Sequence, residues 1–470
     1  VTHTDSYGFA PPSGCPVTGA GAGATPLFDE EFARDPAGVY DRLRGYGVAA
    51  PVALEPGVQA LLVTHYKTAR YILTSPDFSK DPHRWRDLRE GRVPADSRVL
   101  PMMAPRPNCL FSDDTVHQAR RQVVDESLGK IDDYELRRYV EQVADDLIDS
   151  FARTGRADLI AQYAKRLPLM VFNKMFGCPG DVGDRLVEGM GKIFDGVEAE
   201  SGNVQVTEGL IELITHKQAV PGSDVTTWML QHASRPDAEE VIHQLVTLLG
   251  AGSEAEQNLI GNALLKILTD PRFADDRVNV PIGTAIEEVL WQETPLANYA
   301  VHYARRPVDI YGTHFPEGIP IVISFAACNT DPEEILDADQ RATSRSHLSW
   351  SAGPHRCPAQ PHALSIGRIA IERLFNRLPD VQIAVDPAEL TWRTGPFHRA
   401  LHTLPAQFTP HVVTEPPAAA RAVSPAVPRP GAALATLPDS GPVHPVPARR
   451  PRSPLRRLAQ AWLRWWRGDT

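Results

Sequence analysis

The segment Ala238–Thr269 constrains the fold of this chain more than any other. It reads as one long helix that is apolar around much of its circumference, so other elements must wrap it. The triplet Gly250-Ala251-Gly252 interrupts it. Glycine in a helix interior costs roughly 1 kcal/mol relative to alanine. Two glycines in one turn imply that something approaches the backbone closely or that the helix opens locally. Packing of a neighbouring helix on the small residues is the plainer alternative.

Around this segment, apolar periodicity predicts helices over Asp114–Leu128, Asp133–Thr154, Ala161–Phe176, Asp181–Ala199, Val206–Gln218, Val225–Ala233 and Gly283–Gln292, and from about Gln360 to Leu378. Strand signals are fewer. Val52–Leu54 and Gln59–Thr64 flank Glu55-Pro56-Gly57 and read as a hairpin. Short alternating stretches follow between Ala300 and Phe325, then at Val381–Val385 and Leu390–Leu404. Ser75 to Asp113 has weak periodicity and reads as a long functional loop. The expected fold class is mainly α with a minor β region.

Composition divides the chain. Residues 1–25 read as irregular, 26–414 as one globular body, 415–452 as a disordered Pro/Ala/Arg-rich linker, and 453–470 as a basic, Trp-rich amphipathic helix. From Glu415 onward, nine Arg oppose three acids, a net of +6, so with −10 overall the remainder carries −16. An acidic body argues against nucleic-acid binding. In the last segment Leu455, Leu458, Trp462, Leu463, Trp465 and Trp466 share one helical face, and Arg456, Arg457, Arg464 and Arg467 lie opposite. That pattern suits a membrane surface or a partner's groove. The start Val1–Ser6 lacks a basic and then apolar leader, and no run of about 18 apolar residues occurs. A cytoplasmic protein is expected, with peripheral attachment at the inner membrane face as an option. Five scattered cysteines without a Cys-x-x-Cys pair argue against a disulfide framework or a zinc ribbon.

One of these cysteines stands apart. Cys357 closes the loop Ser349-Trp350-Ser351-Ala352-Gly353-Pro354-His355-Arg356-Cys357 just before a long helix. Helix amides near a thiol favour the thiolate, which binds soft or borderline metals. Trp350 can wall a flat ligand, and Gly353 can let the backbone turn closely beneath it. A buried structural cysteine is the bland alternative.

Several further stretches carry a resemblance. Trp350–Ala359 resembles the Phe-Gly-x-Gly-x-His-x-Cys-x-Gly loop of the bacterial cytochrome P-450 family, with two glycines lost at Ser351 and Ala359. His117-Gln118-Ala119-Arg120-Arg121 resembles its His-x-x-x-Arg helix, and Asn329-Thr330-Asp331-Pro332 its Asn-x-Asp-Pro turn. Ser79-Lys80-Asp81 resembles the stretch after the second helix. Leu364, Arg368 and Glu372 fit the helix after the cysteine. The resemblance covers about residues 26–410. It implies haem b bound through Cys357, with His117, Arg121 and His355 reaching the propionates and Trp350 and Gly353 shaping the loop. His302 stands where the family has a third cation, an Arg. His117 and Arg121, as i and i+4, do share a helix face.

Gly250–Ala255 resembles the Ala-Gly-x-Asp/Glu-Thr segment of the helix over the oxygen-binding face. Gly252 would make room there, Glu254 would supply protons, and Ala255 replaces the usual Thr, removing a hydroxyl donor. The Glu-x-x-Arg pair reads Glu288-Val289-Leu290-Trp291, so Glu288 needs another cation, with Arg341 or Arg345 as candidates. Trp at this position resembles an actinobacterial subgroup whose genes accompany membrane-linked signalling components. The resemblance implies a monooxygenase that inserts one oxygen atom of O2 into an apolar small molecule, with electrons from a separate ferredoxin. The substrate would enter under the Ser75–Asp113 loop and the Asp181–Gln218 helices. The alternative is a catalytically weakened haem protein docked to a membrane or a partner.

Overall fold

The computed structural model describes residues 23–195, 198–273, 282–334 and 344–411. The proposed linker and the amphipathic segment 453–470 lie outside the described residues, as does Arg341. The fold is mainly α with small sheets. No described helix is long and apolar enough to cross a membrane.

The central helix runs unbroken for 32 residues, Ala238–Thr269. The Asp237 carboxylate accepts the Glu240 N–H at 2.8 Å and caps its start. Glu239 and Glu240 sit in its first turn and Lys266 in its last, each sign matched to the helix dipole. The helix does not open at the glycines. Gly252 is there for packing, because a Cβ added to it would lie 2.9 Å from the Phe172 ring. A Cβ at Gly250 would meet nothing within 4 Å. From Glu256 to Leu264 every residue is buried, so the helix is wrapped over that stretch.

Its wrapping comes from helices Asp133–Phe151, Arg166–Phe176, Ile282–Gln292 and Gln360–Arg377, which share one apolar core with it. Asp145 ties two of them. Arg373 reaches it with Nε at 2.8 Å and Nη2 at 2.7 Å, and Arg377 Nη1 reaches it at 2.7 Å. Burial pushes the Asp145 carboxyl up, and the two guanidiniums more than reverse this, holding it below the usual range.

Two helix boundaries differ from expectation. The predicted helix Ala161–Phe176 is a π-helical turn, Ile160–Ala164, followed by a helix from Arg166. Pro168 has no N–H to donate and suits the first turn of the second piece. The predicted break before Val206 is absent, since one helix runs Ala199–Ala219. Gly202 serves a helix crossing: a Cβ there would lie 2.6 Å from Gly189 O.

A second core surrounds a six-stranded sheet of order β1-β2-β3-β9-β6-β4. Its strands are β1 (Thr25–Pro26), β2 (Ala49–Glu55), β3 (Val58–Val63), β4 (Phe78–Ser79), β6 (Asn298–Ala304) and β9 (Ile321–Ser324). Thr25 of β1 pairs in parallel with Val52 of β2. The β2–β3 hairpin turns at Pro56-Gly57, where Gly57 has φ +85. The supposed loop Ser75–Asp113 contains β4 and short helices, among them Leu100–Met103. Strands β7 (Val308–Ile310) and β8 (Thr313–Phe315) form a separate ribbon. In a third sheet, β10 (Gln382–Ile383) and β11 (Pro405–Gln407) join β5 (Arg156–Asp158), bringing the end of the body back onto the helical layer.

Candidate functional site

The cysteine loop is closed by its own backbone. Cys357 N–H donates to Trp350 O at 2.9 Å, Arg356 N–H to Gly353 O at 3.1 Å, and Ser351 N–H to Leu348 O at 2.7 Å. Two residues take left-handed backbone, Ser351 (φ +61) and Gly353 (φ +68). At Gly353 the requirement is also spatial, because a Cβ would overlap Leu73 O at the end of helix Tyr66–Thr74. Gly353 thus lets the loop lie against that helix, which differs from the expected role of a turn beneath a ligand. The loop touches both cores: Trp350 and Ala359 pack on the helical one, Ala352 on the sheet.

Helix Gln360–Arg377 begins without a side-chain cap. The amides of Ala359 and Gln360 instead bond toward the Cys357 thiol. Burial pushes that thiol up, and these amides and Arg121 act against it. The expectation that helix amides favour the thiolate therefore holds in direction but is outweighed by burial. Burial raises Cys109 to about 11, Cys178 to about 12 and Cys328 well above the ordinary value.

Cationic side chains gather at one edge of the loop. His117 is buried, its ring centroid 4.0 Å from that of His355, and its Nε2 has no hydrogen-bond partner. Arg121 donates to Pro354 O at 3.2 Å and to Asp125 at 2.7 Å, so it braces the loop directly. His302 arrives from β6 through a bulge: register shifts between Tyr299 and His302, and Ala300 has φ +50. Its Nδ1–H donates to the Ala300 carbonyl. Burial, then the charge of Lys80, hold His302 well below the usual imidazole range, and the same two causes lower His355. Burial, then Arg121, lower His117. The structure thus brings together His117, Arg121, His302, His355 and Cys357. It adds Lys80, which the sequence offered only within a resemblance and which general rules place on the surface.

The central helix presents acids. Glu254 is 4% exposed, and its Oε1 accepts Arg393 Nη1 at 2.6 Å. Its Oε2 is buried with no partner. Arg393 comes from the terminal hairpin, where Trp392 bridges Leu401. Ala255 follows with no polar atom on its side chain. Gly252 lies against Phe172, whose ring a Cβ there would approach to 2.9 Å. Glu256 was not foreseen. It is 3% exposed, lies against Gly367 of the cysteine helix, and burial raises its carboxyl well above the ordinary range.

The expected partners of Glu288 are corrected. Glu288 pairs with Arg272 at 2.7 Å and Lys266 at 3.0 Å. Arg345 goes instead to Glu287, at 3.2 Å, with His347 at 3.4 Å from the same oxygen. Trp291 packs edge-on against His347, ring centroids 5.5 Å apart. Helix roll decides this, because consecutive residues point about 100° apart and the inward one is Glu287.

No family model matches the chain. It is 31% identical over 393 residues to cytochrome P450 107B1 of Saccharopolyspora erythraea, covering 81% of this chain and 96% of the relative. It is 27% identical over 406 residues to a vitamin D(3) 25-hydroxylase of Pseudonocardia autotrophica, covering 84% and 99%. Among solved structures, CYP154A1 from Streptomyces coelicolor superposes with a TM-score of 0.71 at 28% identity, covering 82% and 100%. The thiol loop, the long helix and these relatives agree, and the chain belongs to the cytochrome P450 family of haem-thiolate monooxygenases.

Proposed function

We propose that Cys357 is the thiolate that holds haem b iron, and that the chain inserts one oxygen atom of O2 into an apolar small molecule with electrons from a separate ferredoxin. The observation that carries this reading is the pairing of one loop thiol, faced by two helix amides, with an edge of donor side chains: the His117–His355 stack, whose His117 Nε2 lacks a partner, and Arg121 on Pro354 O. The cofactor fits that arrangement. Two propionates would meet His117, whose Nε2 lacks a partner, together with Arg121 and His355. Bound haem supplies the one-electron and O2 chemistry.

The chain's own residues do the rest. Arg121 braces the loop at Pro354 O. Arg393 holds Glu254 as a buried carboxylate on the central helix, a group able to pass a proton when it swings free. Ala255 contributes no hydroxyl, so water or the substrate completes any relay at that position. The hydroxylase that acts on vitamin D(3) supports an apolar substrate class. The docked, weakened alternative rests on Ala255, on Trp291 and on the segment 453–470, the last of which lies outside the described residues.

A reduced, carbon-monoxide-bound spectrum tests the assignment. The expected result is the red-shifted Soret band of a thiolate-bound haem, abolished in Cys357→Ser. A normal band in that variant would place the ligand elsewhere.

A further inference from the structure

Lys80 is 3% exposed, yet among the described residues its ammonium forms no ion pair with a carboxylate. Its backbone N–H donates to Asp113 Oδ1 at 2.8 Å. The Asp113 carboxylate is further occupied by Ser79 Oγ and by Arg305 at 3.5 Å. Among the described residues no acid forms an ion pair with Lys80 Nζ, which lies 5.8 Å from the Tyr299 ring centroid. A lysine so deeply buried is rare unless paired. Burial draws it down to about 7, with Asp113 acting the other way. Ser79 pairs with Tyr303 of β6 and Nζ lies beside the Tyr299 ring, so the ammonium lies against β6, and after burial its charge is the next cause that lowers both His302 and His355.

His302 cannot take the part of an anion-binding arginine in this setting. Its Nδ1–H is committed to the Ala300 carbonyl, so Nε2 carries a lone pair unless the ring gains a second proton. Burial and Lys80 both oppose that proton. The other titratable groups nearby are Arg106, which shares Tyr299 with Lys80 and donates to Pro101 O at 3.2 Å, Arg121, already on Pro354 O and Asp125, and the His117–His355 pair, both lowered by burial and neighbouring cations.

We propose that Lys80 is the third propionate-binding cation of this site, replacing the arginine for which His302 stands. The proposal rests on the haem reading above. A carboxylate beside Nζ supplies the missing counter-charge and keeps the lysine protonated.

The test compares wild type, Lys80→Met and Lys80→Arg, each as apoprotein and as holoprotein. Haem transfer to excess apomyoglobin should be about tenfold faster or more from Lys80→Met, the scale of a lost charged hydrogen bond, and near wild type from Lys80→Arg. The apoprotein should change in the opposite sense. Lys80→Met should unfold at a higher temperature than wild type, because an apolar chain replaces an unpaired buried charge. A merely structural lysine would weaken both states together. Reconstitution with haem dimethyl ester, which has no propionate charge, should erase the difference in haem loss between wild type and Lys80→Met.

Equal loss of ordinary haem, equal acceleration with the diester, or a less stable Lys80→Met apoprotein would each overturn the proposal. If Lys80→Met does not accumulate, Lys80→Gln is measured with the same two haems and the same criteria. Wild type that fails to load haem would overturn the Cys357 reading itself; normal loading with an unaffected variant overturns only the Lys80 assignment.

Discussion

Two groups of buried charges meet in this molecule, and they are compensated differently. At the cysteine loop, the buried ammonium of Lys80 sits near three imidazoles, His117, His302 and His355, that burial and neighbouring cations hold below their usual range, and none of the four forms an ion pair with an acid among the described residues. On the central helix, Glu254 is answered at 2.6 Å by Arg393, while Glu256 has no cation and is held protonated by burial. The helix side settles its charges with the protein's own groups. The loop side leaves the Lys80 ammonium without an ion-pair partner among the described residues. Buried charge without an internal answer is costly, so its persistence marks where a ligand of opposite sign belongs.

Breaking the internal pair should have the largest effect. Arg393→Met leaves Glu254 buried without its partner and should destabilise the protein by about 3 kcal/mol, read by urea unfolding at neutral pH. Adding Glu254→Gln should recover most of that loss. No recovery in the double variant would mean that Arg393 acts through packing rather than charge.

Glu256 sharpens the comparison through pH. Its folded carboxyl lies above its unfolded value, so the folded state binds the extra proton over the interval between them. The stability it contributes is complete below the ordinary carboxylate range and is lost as pH rises through the folded value. Glu256→Gln keeps the neutral shape and should flatten the fall in unfolding free energy as pH rises above the ordinary carboxylate range. An unchanged slope would place the titrating group elsewhere.

The smallest expected effect lies in the loop backbone. Ser351 keeps left-handed backbone (φ +61) without being glycine. Ser351→Gly should raise stability by about 1 kcal/mol, measured as a shift in the unfolding midpoint of the apoprotein. A loss would show that the Ser351 side chain contributes more than its backbone costs.

Much of the helical layer was legible because its signals are local. Asp237 caps the central helix, and Asp114–Leu128 has the predicted bounds. The loop thiol and the His117–Arg121 face were equally readable, since spacing alone puts i and i+4 together. What stayed hidden depends on packing. Whether Glu287 or Glu288 faces the segment around Arg345 is decided by helix roll, which tertiary contacts set. That Gly252 lies against the Phe172 ring depends on how two helices pack, which the sequence does not display. Lys80 was invisible for a different reason: burying a lysine runs against the rule by which sequences are read.

The close approach at Gly353 has a mechanical consequence. The loop is continuous in sequence with the helical layer, yet it is seated on the last carbonyls of Tyr66–Thr74, which belongs to the sheet layer. The thiol therefore sits on the seam between two bodies and registers any sliding of one against the other. Pressure or a bulky ligand that shifts the layers would change the bond geometry at Cys357 before it unfolded either, so the Soret band of the loaded protein would act as a strain gauge for the whole fold.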